Sequence, residues 1–315
     1  MKKLLFTLIF GSCILYSCFF PEVTLDASKT GLMLWFQQIL PALLPFTIVS
    51  SILTKSNFLH SFSGNANTFA IILTIGCGFI FGFPIGAKLS ADFYKSGLLS
   101  DRQAMCLAIC TNNFSPMYIC GYVLPTLFSK NQYHRITYLL IYFLPLLMVT
   151  ILCIFYSRKS HSIETATSEN LHKKSASPFH LDMGVMDAGI ISGFEALIRI
   201  CGYIVLFSIV AKILTNLWTQ PPFLWNWAIG NLEISNGIHL LSISTATDDL
   251  KYIAAIQLLS FGGLSGIAQT ASIFHGNAIT DKKLSIYKYI IGKVSLSLLF
   301  TLLAIMYVSY FSYWS

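Results

Sequence analysis

The chain has 315 residues, of which 55% are hydrophobic and 10% are charged, and its formal net charge is +7. Soluble domains carry about 25% charged residues, so this composition excludes an ordinary soluble protein and predicts an all-α polytopic membrane protein. The basic residues lie at segment ends and in loops, where they orient a membrane protein. The net charge therefore does not indicate a nucleic-acid partner.

The chain begins with two lysines after Met1 and an apolar segment over 4–20, which resembles a signal peptide without a clear cleavage site. We interpret residues 1–30 as an uncleaved transmembrane helix with a cytoplasmic N-terminus, followed by an acidic linker. The next apolar segment, 31–53, contains Pro41 and Pro45. Proline lacks a backbone N–H and clashes with the preceding turn, so we expect this helix to be kinked.

A motif rich in glycine and proline, 81–90, interrupts the third apolar segment and predicts a helical hairpin at 68–90. A charge at bilayer depth is costly, so Lys88 is expected to face a cavity or a partner. Free backbone N–H groups at such a break can bind an anion. We therefore predict that Pro84, Gly86 and Lys88 bind substrate. Alternatively, Lys88 ends the hairpin and extends to the membrane surface.

The segment 104–128 is apolar except in its middle, where Asn112, Asn113 and Ser115 precede Pro116. Asparagine amides are costly to leave unpaired in lipid, and a proline frees the carbonyl one turn earlier. This pattern predicts a broken helix that hydrogen-bonds a polar ligand. The alternative is hydrogen bonding between neighbouring helices, which membrane bundles use routinely.

The first half ends with an apolar segment at 136–156. The polar interval that follows, 157–183, predicts a solvated loop before the second half. Its own apolar segments cover 185–214, 223–243, 252–274 and 285–311. Glu233 and Asn236 make the second of these too polar to face lipid, so we expect it to be buried or re-entrant. Glu233 is a candidate coupling group for a proton or cation. The alternative is an ion pair between Glu233 and Arg199 or Lys212.

The motif around Gly82 recurs around Gly262, and aligning these two glycines also aligns Gly86 with Gly266. Interrupted hydrophobic segments at matching positions in two halves of a membrane chain point to a transporter binding site. We therefore predict a second hairpin at 252–275. Its predicted substrate-binding residues are Gly263, Ser265 and Gln269.

The charge of the central loop bears on the topology. If every apolar segment crossed the membrane, this basic loop would lie outside, against the positive-inside tendency. If 68–90 is a re-entrant hairpin, the loop returns to the cytoplasm and the two halves have opposite orientations. We therefore predict two inverted repeats of transmembrane helices, 31–156 and 184–315, each with a re-entrant helical hairpin.

The sequence contains no HExxH, GxSxG or Walker A motif, and its cysteines form no CxxC pair. We therefore predict that the protein is not an enzyme and that it uses no metal or cofactor.

The motifs together resemble the YlbJ family of sporulation integral membrane proteins, within the Gate (nucleoside recognition) domain superfamily. The pieces that carry the resemblance run in the family's order, at 40–46, 82–88, 112–116, 232–237 and 261–265. The chain departs from the family at Gly266, where a larger residue is usual. The resemblance implies a protein of the bacterial cytoplasmic membrane or outer forespore membrane, linked to movement of dipicolinic acid during endospore formation.

The leading hypothesis is a permease for a small polar or anionic solute, with dipicolinate as the solute that the resemblance implies. The alternatives are a nucleoside-type carrier and a non-transporting scaffold for spore envelope assembly. The expected partners are a small-molecule substrate and the lipid bilayer, and a homo-oligomer is compatible with the sequence.

Overall fold

The computed structural model describes residues 11, 14–56, 58, 66–129, 133–160, 179–216, 222–276 and 284–314. Within these ranges the chain is helical and has no strand, and four helical segments are long and apolar enough to cross a membrane. The predicted all-α membrane fold is thereby confirmed. The first ten residues and most of the predicted central loop lie outside the described residues.

The helices of the first half are labelled α1 to α6. Residues 14–19 are helical, and the helix labelled α1 follows them in three consecutive stretches, Pro21–Leu34, Trp35–Ile39 and Leu40–Lys55. It is followed by α2 (Ala66–Phe81), α3 (Ile85–Lys95) and α4 (Asp101–Thr111). Then come α5 (Pro116–Tyr118, Ile119–Val123 and Leu124–Leu127) and α6 (His134–Tyr138, Leu139–Phe143 and Leu144–Ser160).

The second half has α7 (Met183–Asn216), α8 (Phe223–Gly230) and α9 (Ile234–Ser242). It ends with α10 (Asp248–Phe261), α11 (Gly263–Gly276) and α12 (Ile286–Trp314). The longest of these helices, α7, packs along α1. Gly189 and Gly193 make this packing close, because a side chain at either position would collide with Ile52 or Ile48 of α1.

The middle stretches of α1, α5 and α6 are five-residue π-helical turns, and each is followed by a Leu-Pro pair. The prolines are Pro41, Pro125 and Pro145. A proline inside a helix donates no hydrogen bond, and its ring clashes with the carbonyl group four residues earlier. A wider turn relieves that clash, which accounts for the π-helical turns before these three prolines.

Helices α2 and α3 form a hairpin, because α3 returns to the start of α2, and the re-entrant position of this hairpin in the membrane stays a prediction. Asn67, at the start of α2, donates through Nδ2 to the carbonyl oxygen of Leu98, beyond the end of α3, at 2.6 Å. It also exchanges amide hydrogen bonds with Gln103 of α4. We call this end of the helix bundle the Asn67 face.

The opposite end of the bundle, the Tyr252 face, is reached by α5, since the rings of Phe128 and Tyr252 lie 6.2 Å apart. A second hairpin, α8–α9, begins and ends there. Trp225 of α8 bonds to Leu214 near the end of α7, and Lys251 of α10 bonds to Ser242 at the end of α9. Gly230 and Gly237 lie in backbone contact, which holds the two arms together.

The segment predicted as the second hairpin, 252–275, has a different geometry: α10 and α11 follow one another along α12. The ring centres of Tyr252 and Tyr307, near the end of α12, lie 6.4 Å apart. The ring centres of Phe274 and Tyr289, near the start of α12, lie 5.9 Å apart. The break at Gly262 and Gly263, with φ of 91° and 68°, therefore interrupts one spanning segment. Similar motifs recur at Gly82 and Gly262 because both positions need left-handed backbone.

The two halves share one order of elements: a long helix, a hairpin, a broken helix and a final helix. In this order the tip of α2–α3 corresponds to residues 231–233, and the break between α4 and α5 corresponds to Gly262 and Gly263. The register therefore differs from the alignment of Gly82 with Gly262. The segment 223–243, which the sequence showed to be too polar for lipid, forms the hairpin of the second half.

Candidate functional site

The tip of the first hairpin contacts the break between α4 and α5. The backbone N–H of Phe83 donates to the carbonyl oxygen of Asn113. Gly82 has a φ of 73°, and a Cβ at that position would collide with the backbone N of Ser115. Glycine is therefore required at the tip both by its conformation and by the close approach of the two backbones.

Ser115 restarts the helix beyond this break, because its hydroxyl accepts a hydrogen bond from the N–H of Tyr118 at 3.2 Å. Gly86 lies where α3 passes α4, and a Cβ on it would stand 2.7 Å from the carbonyl carbon and oxygen of Thr111. Pro84 occupies the position just before α3. These three predicted binding residues thus build the contact between hairpin and broken helix, and their role in binding stays a prediction.

The second hairpin tip contacts the second break in the same manner. Leu264 and Ser265 of α11 donate their backbone N–H groups to the carbonyl oxygens of Asn231 and Leu232, at 2.8 and 3.0 Å. Helix starts leave such N–H groups without partners inside the helix. The tip of α8–α9 therefore supplies acceptors for the start of α11.

Glu233 and Asn236 belong to this second tip. The Glu233 carboxylate accepts hydrogen bonds from the backbone N–H groups of Ser235 and Asn236, at 3.1 and 2.9 Å, and from the Asn236 side chain at 2.9 Å. Glu233 is thus the N-cap of α9. The ion pair that the sequence offered as an alternative does not form with Lys212, which pairs with Asp26 at 3.0 Å.

The two halves meet at a set of polar side chains that we call the central contact. Asn112, at the end of α4, donates through Nδ2 to the hydroxyl oxygens of Tyr289 at 2.8 Å and Thr270 at 3.3 Å. Lys293 donates through Nζ to the carbonyl oxygen of Asn112 and to Oδ1 of Asn113, both at 3.0 Å. The central contact thus joins the break of the first half to α11 and α12 of the second.

Lys293 was not singled out from the sequence, although it lies within the apolar segment 285–311. Only 1% of its surface is exposed, and no carboxylate within the described residues forms an ion pair with it. The ammonium group has three N–H donors, and the central contact uses two of them. The third donor has no hydrogen-bond partner among the described residues.

Lys88, in contrast, already has a carboxylate partner. Its Nζ lies 2.8 Å from Oδ2 of Asp92, one turn along α3, and also donates to the hydroxyls of Ser51 and Ser50 of α1 at 3.0 and 3.4 Å. The residue is 6% exposed, so it does not extend to the surface. An anion that binds Lys88 would have to compete with Asp92.

A small cavity of about 90 Å³ lies beside this pair, between α3, α7 and α11. We call it the charged cavity. Its polar lining residues are Lys88, Asp92, Ser192, Glu195, Arg199, Tyr203, Gln269 and Ser272. Gln269 also donates to the hydroxyl of Ser265 at 3.0 Å, which connects the cavity wall to the start of α11.

The structure therefore groups the predicted residues into three places. Asn112 and Asn113 belong to the central contact, Lys88 and Gln269 line the charged cavity, and the others form the two tip-and-break contacts. Gly263, with its positive φ, belongs to the second of these. No group of three or more histidine, cysteine or acidic side chains that could hold a metal ion occurs in the described ranges.

Among known proteins, this chain is similar to the sporulation integral membrane protein YlbJ of Bacillus subtilis (strain 168). The two are 25% identical over 316 residues, which cover 86% of this chain and 76% of that protein. The resemblance to a YlbJ-type family is confirmed. No family model matches the chain, and no solved structure matches it. Membership of the Gate superfamily stays a prediction. The relative and the four apolar helices together support an integral membrane location.

Proposed function

We propose that this protein is a permease, not an enzyme, and that it carries a small polar or anionic solute through the central contact. The observation that carries the proposal is Lys293, a buried cation whose hydrogen-bond partners within the described residues are two neutral oxygens at the junction of the two halves. Burial of an uncompensated charge is costly. A solute that brings a negative or strongly polar group to the third N–H of Lys293 would offset that cost.

The architecture supports an inverted arrangement of the halves. The first hairpin enters from the Asn67 face and the second from the Tyr252 face. The broken helices α4–α5 and α10–α11 run in opposite directions, since the first ends and the second begins beside Tyr252. Inverted repeats with discontinuous helices at the midplane are a recurring design of secondary transporters. Movement of one half against the other would open the central contact to alternate faces.

The charged cavity fits the role of an entrance from the Asn67 face. Both Glu195 and Arg199 are exposed although they lie within a membrane-spanning helix, and neither forms an ion pair in the described part of the chain. Ionisable groups at such positions usually face a water-filled path. Gln269 and Ser265 lead from this cavity to the second tip, next to the central contact.

The proposed biological setting is inferred from the similar protein, and the proposed solute is inferred from the family resemblance. The name of the similar protein places it in sporulation, and we propose a role in endospore formation for this chain too, in the cytoplasmic membrane or the outer forespore membrane. Dipicolinate, a small planar dicarboxylate, is the solute that the family resemblance favours. One of its carboxylates could accept from the third N–H of Lys293.

The test is flux of labelled dipicolinate into vesicles that contain the purified protein. We expect flux above that of protein-free vesicles and a loss of at least tenfold in Asn112→Ala, because this change removes the two side-chain hydrogen bonds that join Asn112 to Tyr289 and Thr270 of the second half. Thr301→Ala, about two turns beyond Lys293 on α12, is the matched control and should retain flux. Flux of uridine but not dipicolinate would favour the nucleoside-type carrier. Absence of any solute flux from a folded protein would favour the scaffold.

A further inference from the structure

A second and larger cavity lies apart from the charged cavity, in a groove between α4, α6 and α12. It measures about 430 Å³, within the usual range of ligand pockets. Its walls are apolar and come from three helices. They include Met105, Ile109, Met148, Leu296 and Leu299. We call it the α4–α12 groove.

One end of this groove is basic. Arg102, in the first turn of α4, and Lys288, in the first turn of α12, line it together with Asp101. Both basic side chains are exposed, and neither forms an ion pair with a carboxylate within the described residues. The starts of two helices add partial positive charge at the same place. Two cations against one carboxylate make this mouth complementary to an anion.

The length of the groove matches one leaflet of a bilayer. From Lys288 at the mouth to Leu299 at the inner end, α12 advances eleven residues, or about 16 Å at 1.5 Å per residue. Half of a hydrocarbon core of about 30 Å is about 15 Å. A basic mouth followed by an apolar wall of this length has the polarity of one lipid molecule, with its headgroup at the membrane surface.

We propose that the α4–α12 groove binds one anionic phospholipid, with its phosphate between Arg102 and Lys288 and one acyl chain along α12. Free phosphate would share the mouth but leave the apolar wall uncovered. Basic pockets between transmembrane helices are known to bind anionic headgroups on the cytoplasmic side. The Asn67 face would then be the cytoplasmic one, in agreement with the positive-inside tendency.

The test is native mass spectrometry of the full-length protein, titrated with phosphatidylglycerol or with phosphatidylcholine of the same chain length. We expect tight binding of one phosphatidylglycerol molecule. A cation near the headgroup is worth about fivefold in affinity, so the double variant Arg102→Gln, Lys288→Gln should bind about 25-fold more weakly. The double variant Lys95→Gln, Arg135→Gln loses the same charge outside the groove and should change affinity less than twofold.

A third variant tests the acyl chain separately from the charge. Ser295 lines the groove and is exposed, so Ser295→Trp should fill the groove, preserve the fold and weaken binding of long-chain phosphatidylglycerol. Soluble glycerol phosphate should not compete. Equal binding of both lipids, equal losses in the two double variants, full affinity in Ser295→Trp, or competition by glycerol phosphate would each overturn the proposal.

Discussion

The glycines at 86 and 266 offer a matched pair of substitutions, because they align in sequence but differ in surroundings. A Cβ added to Gly86 would stand 2.7 Å from the carbonyl carbon and oxygen of Thr111. A Cβ added to Gly266 would lie 3.5 Å from the ring of Phe83, which is ordinary van der Waals contact. Gly86 is the second residue of α3, and Gly266 is the fourth residue of α11.

The expected free energies follow from these distances. Alanine is favoured over glycine in a helix by about 1 kcal/mol, so Gly266→Ala should stabilise the protein by up to about that amount. Gly86→Ala gains at most the same amount, but the backbone of Thr111 cannot rotate away, and overpacking of this kind costs about 1–3 kcal/mol. The two variants should therefore differ by about 1–3 kcal/mol in the free energy of unfolding, with Gly86→Ala the less stable.

Unfolding of the purified protein by sodium dodecyl sulfate in mixed micelles would measure this difference. A Gly86→Ala variant as stable as Gly266→Ala would refute the close approach of α3 to α4. The contact of the first hairpin with the broken helix depends on that approach, so the description of the first half would then need revision.

Three other changes test the polar contacts by the same measurement. Lys88→Met should destabilise the protein by about 3–5 kcal/mol because it leaves the carboxylate of Asp92 without its cation, and the double variant Lys88→Met, Asp92→Leu should recover most of the loss; no recovery would argue against the pair. Glu233→Gln keeps one acceptor of the N-cap and should cost about 1–2 kcal/mol, whereas an unchanged stability would argue against the cap. Asn67→Ala removes the amide that joins the start of α2 to the end of α3 and should cost about 1–3 kcal/mol, and a cost below 0.5 kcal/mol would show that the bond is unimportant.

The sequence was sufficient for the features that depend on local chemistry. Left-handed backbone needs glycine, so Gly82 and Gly262 marked two breaks in apolar segments. The pair of asparagines before Pro116 marked a third break, and the structure has all three. The polarity of the segment around Glu233 predicted burial, and the side chains of Glu233 and Asn226 are buried.

Features that depend on distant contacts could not be read from the sequence. A hairpin tip and a break in a spanning helix both require left-handed backbone. The motif at Gly262 therefore suggested a second hairpin, although it is a break in a spanning segment. Lys293 donates to oxygens of Asn112 and Asn113, which lie about 180 positions earlier in the sequence. No local sequence pattern predicts these hydrogen bonds. The partner of Lys88 could have been predicted from the sequence, because Asp92 follows Lys88 at the i,i+4 spacing of a helical ion pair.

The most direct test of the central claim is dipicolinate flux in vesicles that contain Lys293→Met, with Lys95→Met as the matched lysine on the surface. Loss of a charge-assisted hydrogen bond to the solute is worth about 1.5–3 kcal/mol, so Lys293→Met should lower flux by about 10- to 100-fold while the folded protein persists. Lys95→Met should match the wild type. Undiminished flux through folded Lys293→Met protein would contradict the proposal that the solute passes through the central contact.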